Sequence, residues 1–262
     1  MEILDVLQYI AAGAGVGFAV GVTGVGGGSL MTPLLLMFGF PTHIAIGTDL
    51  MYASITKSSG VIAHHKHGTI EWPVVLRLAA GSLPASLMTV FALKYLFGDP
   101  ESYKHVLLST LGVMLILTSA VLLFKGRLQR TRQQHSPSNS FLVKHRNTLT
   151  VLMGVLLGIC VTLSSVGAGA FGAAVLLMLY PGLSSMKVIG TDIAHAVPLT
   201  MIAGFGHFTL GNVDFYLLGA LLMGSLPAIH FGTMVAKKLP ERILQSTLAS
   251  ILCAIGIKYA FF

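Results

Sequence analysis

Long apolar runs follow one another along almost the whole of this 262-residue chain. A helix needs about 20 apolar residues to cross the hydrocarbon core of a bilayer, which is about 30 Å thick. The runs lie at about 3–22, 29–40, 44–63, 73–97 and 104–124, and again at about 149–166, 170–181, 187–208, 215–236 and 243–262. This spacing predicts an all-α, polytopic membrane protein. The short runs, 29–40 and 170–181, either cross the bilayer or return to their own side.

The composition excludes a soluble globular protein. Hydrophobic residues make up 54% of the chain and charged residues only 10%, whereas a soluble domain carries about 25% charged residues. Most of the surface is therefore expected to contact the lipid bilayer. Because basic residues gather in the cytoplasmic loops of membrane proteins, they account for the net charge of +7. We therefore expect no nucleic-acid partner.

A hydrophilic segment divides the chain into two apolar parts. Residues 125–148 hold six lysines and arginines around a middle that is rich in Ser, Pro and Asn. Such a segment is typical of a solvated linker. The sequence thus predicts a first transmembrane repeat at 1–124, a cytoplasmic linker at 125–148 and a second transmembrane repeat at 149–262.

The two parts repeat each other at a fixed offset. Residues 46–50, IGTDL, match residues 189–193, IGTDI, at an offset of 143, and residues 81–85, GSLPA, match 224–228, GSLPA, at the same offset. With a gap of two residues, VGGG at 25–28 matches VGAG at 166–169. Chance does not produce repeated matches at one offset. The chain therefore consists of two homologous halves.

The expected number of crossings makes the two halves inverted repeats. Each half contains five runs, or three crossings if the short pair forms only a re-entrant hairpin, and odd numbers of crossings invert one half relative to the other. With the linker in the cytoplasm, only Lys94, Lys104 and Lys258 of the 16 basic residues lie outside. This bias supports a cytoplasmic linker and termini on the opposite side of the membrane.

Two glycine-rich segments interrupt the apolar runs at matched places. Each glycine costs a helix about 1 kcal/mol relative to alanine, so we expect broken or re-entrant helices there, lining a cavity. The N-terminus of a half-helix offers free N–H groups and the positive end of its dipole to an anion. The alternative is small-residue helix packing. The candidate substrate-binding residues are Gly26, Gly27, Gly28, Ser29, Gly167 and Gly169.

Each half also carries a Thr-Asp pair inside or beside an apolar run: Thr48 with Asp49, and Thr191 with Asp192. A carboxylate at the centre of a membrane costs about 2.5–3.5 kcal/mol on insertion scales. The pairs are therefore candidate substrate-binding residues, with hydroxyls as donors and carboxylates that could carry protons. Helix capping is the alternative interpretation.

Lys57 and His195 extend this set of candidates. Lys57 follows Asp49 by eight residues, so the two share a helix face, and the matching position in the second half is Thr200. The lysine either attracts negative substrates or extends to the membrane interface. His195 follows Asp192 by three residues. It could relay a proton, or it could be a structural histidine whose hydrogen bonds are satisfied.

The sequence does not indicate an enzyme, a metal site or a cofactor. Adjacent histidines at 64, 65 and 67 lack the helical spacing of a two-histidine metal site. We find no nucleophile and base in a catalytic arrangement, so no catalytic residue is assigned. The oligomeric state is not indicated.

The motifs resemble those of the TauE/SafE sulfite exporter family of membrane permeases. The similarity rests on residues 24–33, GVGGGSLMTP, on IGTDL at 46–50 and on their weaker copies in the second half, and it covers about residues 5–260. It implies a multi-pass transporter of the bacterial inner membrane for sulfite or related anions such as thiosulfate and organosulfonates, with coupling to the proton gradient as a further expectation. In the second glycine segment Ala168 and Ala170 replace Gly27 and Ser29.

We therefore expect an anion to bind between the halves and one half to rock against the other. Two alternatives remain. A transporter of a cation or another small solute would use Asp49 and Asp192 as poles of its site, and a non-transporting membrane scaffold would use neither.

Overall fold

The computed structural model describes residues 3–23, 28–134, 144–236 and 241–261, and within these ranges it is a helical bundle without β-strands. The helices are α1 Ile3–Thr23, α2 Gly28–Met37, α3 Thr42–Lys66, α4 Trp72–Ala92, α5 Pro100–Gln134, α6 Arg146–Ser164, α7 Ala170–Leu179, α8 Ser185–Thr209, α9 Phe215–Ala236 and α10 Glu241–Phe261. A π-helical turn, Leu93–Phe97, extends α4. Each helix corresponds to one apolar run, which confirms the predicted all-α polytopic membrane fold.

Six helices in the described ranges are long and apolar enough to cross a membrane: α1, α4, α5, α6, α8 and α9. Helix α3 is equally long but more polar, since it carries Asp49 and Lys57. It lies at the centre of the bundle, where its first half is almost entirely buried. Neighbouring helices therefore shield its polar residues from lipid.

The ends of the predicted linker are helical. Helix α5 continues to Gln134 and α6 begins at Arg146, so both extend into the segment 125–148 that the sequence predicts as a loop. Residues 125–134 are mostly Leu, Lys, Arg and Gln, which are good helix formers. A helix can therefore continue past the apolar layer into water.

The short helices α2 and α7 are half-membrane segments. Ten residues rise about 15 Å, half of the hydrocarbon core. The end of α2 returns to the level where α1 begins, since the Tyr9 ring lies 6.4 Å from Phe38 and 5.4 Å from Phe40. In the second half Tyr180, after α7, contacts Thr150 near the start of α6 at 2.8 Å. Both short runs therefore return to their own side.

The packing of equivalent helices shows that the repeats are inverted. Helices α3 and α8 occupy matching places in the two halves and run antiparallel, because Gly60 faces Ile193 whereas Gly204 faces Met51. Helices α5 and α10 are also antiparallel: Gly112 faces Ala260, and Ser119 donates to the Ala249 carbonyl oxygen at 2.8 Å. Helix α1 begins at the end of the bundle that lies opposite the C-terminus of α5.

Each repeat contributes one helix that packs against helices of the other repeat. Helix α1 packs along α9 of the other half, and α6 packs along α4. Both contacts are close, since a Cβ atom added at Gly17 would lie 2.6 Å from the Ser225 carbonyl oxygen, and one at Gly158 would meet that of Ser82. These pairs correspond to each other under the repeat, so small residues bring the helix backbones together twice.

This exchange divides the molecule into two mixed bundles. We call α1, α2, α3 and α9 the first bundle and α4, α6, α7 and α8 the second bundle; each takes three helices from one repeat and one from the other. The bundles meet mainly where α3 crosses α8, while α5 packs against α10 and also against α6 and α7.

Matched polar contacts hold the exchanged helices in place. Thr48 Oγ1 accepts a hydrogen bond from the Asp214 N–H at 3.0 Å, and Thr191 Oγ1 accepts one from the Glu71 N–H at the same distance. In the second bundle Lys187 forms an ion pair with Glu71 at 2.5 Å. Each exchanged helix is therefore fixed at its N-terminus to the bundle that receives it.

Candidate functional site

A small cavity lies where the two bundles meet, at the start of both half-helices. It is lined by Ser29 of α2, Thr118 of α5 and residues 165–170, which lead from α6 into α7. Of the predicted residues, the structure therefore brings together Ser29, Gly167 and Gly169. Gly28 begins α2, whereas Gly26 and Gly27 lie outside the described residues.

The connection between α6 and α7 has a backbone that suits glycine. Gly167 has φ 128° and Gly169 has φ 143°, and Ser165 is left-handed at φ 59°. A Cβ atom at Gly167 would lie 2.8 Å from Met114 Cε. Glycine avoids both the strain and the clash, and α7 begins directly after Gly169. The first N–H groups of a helix have no partner within it. The Gly172 N–H donates to the Gly167 carbonyl oxygen at 3.0 Å, so the N–H groups of Ala170 and Phe171 are the candidate donors to a ligand.

Asp49 is fully buried beside this connection. Its Oδ2 atom accepts a hydrogen bond from Thr32 Oγ1 of α2 at 2.5 Å. The Ser165 hydroxyl also lies close enough to influence the carboxylate. Yet neither Asp49 Oδ1 nor Ser165 Oγ has a hydrogen-bond partner among the described residues. Asp49 thus faces the second bundle without a complete set of hydrogen bonds.

Lys57 links the two bundles. Its Nζ donates a hydrogen bond to the Ala168 carbonyl oxygen at 3.0 Å, so the side chain of α3 reaches the cavity segment of the other half. Both Asp49 and Asp192 act electrostatically on this ammonium. The structure therefore does not support the alternative that Lys57 extends to the membrane interface. It is a cation between two buried carboxylates.

Asp192 and His195 lie on the second-bundle side of Lys57. Asp192 is 2% exposed, and its Oδ1 atom lies against Gly172 of α7, where a Cβ atom would clash with it. His195 Nε2 is 2.8 Å from Ser82 Oγ of α4. The matching pair in the first bundle is Tyr52 with Ser225. This match favours a structural role for His195.

Thr48 and Thr191 stabilise the packing between helices. Thr48 and Thr191 are fully buried and accept the interhelical hydrogen bonds described above. Their hydroxyl oxygens are therefore engaged with α9 and α4. Their predicted role as substrate donors has no support from this geometry and stays a prediction.

Sequence reasoning did not include Ser165, Thr118 and Thr32 in the site. Ser165 precedes the second glycine segment directly, so a search for hydroxyls beside that segment could have found it. Thr118 lies in the middle of an apolar run and Thr32 in a short one, and neither has a matching hydroxyl at the repeat position. Only the packing of α2 and α5 brings them to the site.

The cavity has room for about one water molecule. Any larger ligand therefore requires the segments around the cavity to separate.

Comparison with known proteins identifies a family. Residues 9–259 match the family model described as "Sulfite exporter TauE/SafE". The chain is 37% identical over 256 residues to "Probable membrane transporter protein YjnA" of Bacillus subtilis, covering 96% of this chain and 98% of the relative. It is 29% identical to "Probable membrane transporter protein YdhB" of the same organism, covering 88% and 91%. A "Probable membrane transporter protein" of Xylella fastidiosa is 26% identical, covering 98% and 95%. No solved structure matches the chain significantly.

Proposed function

The chain belongs to the sulfite exporter TauE/SafE family, and from this premise we propose that it transports a small sulfur-containing anion, such as sulfite, thiosulfate or an organosulfonate. One observation carries the proposal. Two half-membrane helices, related by the inverted repeat, begin at the same cavity beside Lys57.

The electrostatics of the cavity suit an anion. The helix dipoles of α2 and α7 place partial positive charge at their N-termini, where backbone N–H groups are suited to donate to an anion. Lys57 adds a full positive charge at the same place. In the low dielectric of the bundle, these contributions are weakly screened. The backbone at Gly167 and Gly169 leaves space for close approach of a ligand.

The helix exchange suggests which bodies move. A repeat that rocked as one body would have to separate α1 from α9 and α4 from α6, which are extensive contacts. We therefore propose that the first bundle rocks against the second, across the contact of α3 with α8. This motion opens the cavity because its walls belong to different bundles. It replaces the expectation that one repeat rocks against the other.

We also propose the orientation and a link to protons. The linker faces the cytoplasm and both termini face the periplasm of a bacterial inner membrane, as the distribution of basic residues indicates. Asp49 or Asp192 has to be neutralised while an anion is bound. If proton transfer at these carboxylates drives transport, replacing both with Asn abolishes the pH dependence of flux. Undiminished flux with unchanged pH dependence would contradict this role.

The first experiment is thermal unfolding of the detergent-purified protein with sulfite, thiosulfate, sulfoacetate, sulfate, phosphate and a set of cations. A ligand that binds only the folded state raises the unfolding temperature. We expect a selective increase with a sulfur oxoanion, and flux into proteoliposomes with the same compound. An increase with cations alone would contradict the proposal and favour cation transport through Asp49 and Asp192.

A further inference from the structure

Three buried oxygen atoms around the cavity have no hydrogen-bond partner in the described part of the chain. They are Asp49 Oδ1, Ser165 Oγ and Thr118 Oγ1, and their residues are 0%, 3% and 2% exposed. Ser165 and Thr118 line the cavity, and Asp49 faces Ser165. Buried polar atoms almost always have a partner, so the three together indicate a ligand-binding site.

The chemistry of the three atoms indicates a cation. We propose that Asp49, Ser165 and Thr118 form a Na⁺ site. A carboxylate and two hydroxyl oxygens are hard oxygen ligands of the kind that bind alkali and alkaline-earth cations. The C-terminal end of α6 lies at Ser164, so its negative dipole end is directed at the same place. In transporters with broken helices, half-helix C-termini and unwound segments supply such ion sites.

When both buried carboxylates, Asp49 and Asp192, are ionised, the balance of charge also favours a cation. Lys57 is an ammonium that both carboxylates act on. Lys57 donates to the Ala168 carbonyl oxygen, so it does not occupy the space between Asp49 and the two hydroxyls. One negative charge is left over, and a bound substrate anion adds to it. Na⁺ beside Asp49 offsets this excess.

The size and ligand set favour Na⁺ over other cations. The cavity accommodates a particle about the size of a water molecule, and the smaller Na⁺ ion approaches the Asp49 carboxylate more closely than K⁺ does, which strengthens their attraction. Three oxygen atoms fall short of the roughly 6–8 ligands that Ca²⁺ usually takes, and a cavity of this size has no room for the several water molecules that Mg²⁺ keeps. A proton on Asp49 would let this carboxyl group pair with the Ser165 hydroxyl, but it would leave Thr118 Oγ1 without a partner in the described residues.

The site and its role are separable. Binding of Na⁺ rests on the geometry alone, whereas coupling of Na⁺ to anion transport rests on the proposed function. The experiment therefore measures Na⁺ binding without substrate and adds an oxoanion in a second step.

The purified full-length protein is unfolded thermally in NaCl, KCl and choline chloride at constant ionic strength. We expect a saturable increase in the unfolding temperature with Na⁺ only. The Na⁺ concentration for half of this effect should rise at least about tenfold in Ser165→Ala and in Thr118→Val, because each removes one ligand. Ser225→Ala is the matched control, because the Ser225 hydroxyl is also buried without a hydrogen-bond partner among the described residues. It lies beside Tyr52 and does not line the cavity.

Binding of radioactive ²²Na⁺ to the same preparations gives a second measurement that does not depend on unfolding. Equal effects of Na⁺ and K⁺, or equal Na⁺ affinity in the variants and the control, would overturn the site. Stability that follows pH but not Na⁺ would overturn it too, by assigning a proton to Asp49. A Na⁺ effect without any oxoanion effect would leave the site standing and refute the proposed substrate.

Discussion

Lys57 is the residue on which the anion preference depends most directly. The second half has Thr200 at the matching place, so the repeat supplies one cation rather than two. The Lys57 hydrogen bond to Ala168 joins the first bundle to the second. The Lys57 side chain therefore supplies both a positive charge and a contact between the bundles. The two halves differ most at the place where we expect the substrate to bind.

Replacing Lys57 with Gln tests this dependence. We expect oxoanion affinity to fall about 10- to 100-fold, because a hydrogen bond to a charged group contributes about 1.5–3 kcal/mol. Lys94→Gln is the control, since Lys94 is an exposed lysine at the end of α4. Thermal shift titration with the stabilising anion measures both. Similar affinity in the two variants would remove Lys57 from the site.

At the scale of elements, glycines set the distance between the exchanged helices. Gly224 of α9 lies against the Ile10 carbonyl oxygen of α1, and Gly81 of α4 lies against that of Val151 of α6. These two contacts are related by the repeat. The same small residues that are typical of loops in the sequence therefore act as contact points between helices.

Gly224→Ala should destabilise the protein by about 1–3 kcal/mol, because the added methyl group overpacks the contact of α1 with α9. Gly219→Ala is a matched control in the same helix, since nothing lies within 4 Å of its Cβ position. It should be neutral or slightly stabilising, because alanine favours helix. Unfolding in denaturant compares the two variants, and equal losses would contradict the packing.

At the scale of the whole molecule, the contact of α3 with α8 is the expected plane of motion. Gly60 faces Ile193 across it, with the Cβ position 3.5 Å from Ile193 Cγ2. Cysteines at these two positions, in a protein with Cys160 and Cys253 replaced by Ala, should form a disulfide. We expect oxidation to stop flux and reduction to restore it. Full flux in the oxidised protein would show that the bundles do not move there.

The returning half-helices predict the sidedness of two loops. Gly39 follows α2 and Gly182 follows α7, and both are exposed with open space around them. Cysteines at these positions should react with an impermeant maleimide from opposite sides: Gly39→Cys from outside the cell and Gly182→Cys only after permeabilisation. Labelling of both from one side would contradict the inverted repeat.

The sequence predicts the helices well and the site only in part. Apolar runs locate the helices to within a few residues, because the bilayer dictates their length and composition. The 143-residue offset predicts the repeats, and the glycine segments predict where the helices break. The exchange of α4 and α9 leaves no local signal, since it depends on contacts between residues far apart in sequence. For the same reason Thr118 and Thr32 could not be assigned to the cavity.

The exchange of helices has a consequence for biogenesis. When ribosome and translocon release the first repeat, its bundle still lacks α9, which is synthesised more than 140 residues after the end of α3. The faces of α1 and α3 that are buried in the final fold, including Asp49 and Lys57 on α3, therefore stay without their packing partner in the membrane until α9 has been synthesised. Neither half can mature alone, and a chain cut at the linker should regain its structure only when both pieces are synthesised in the same membrane.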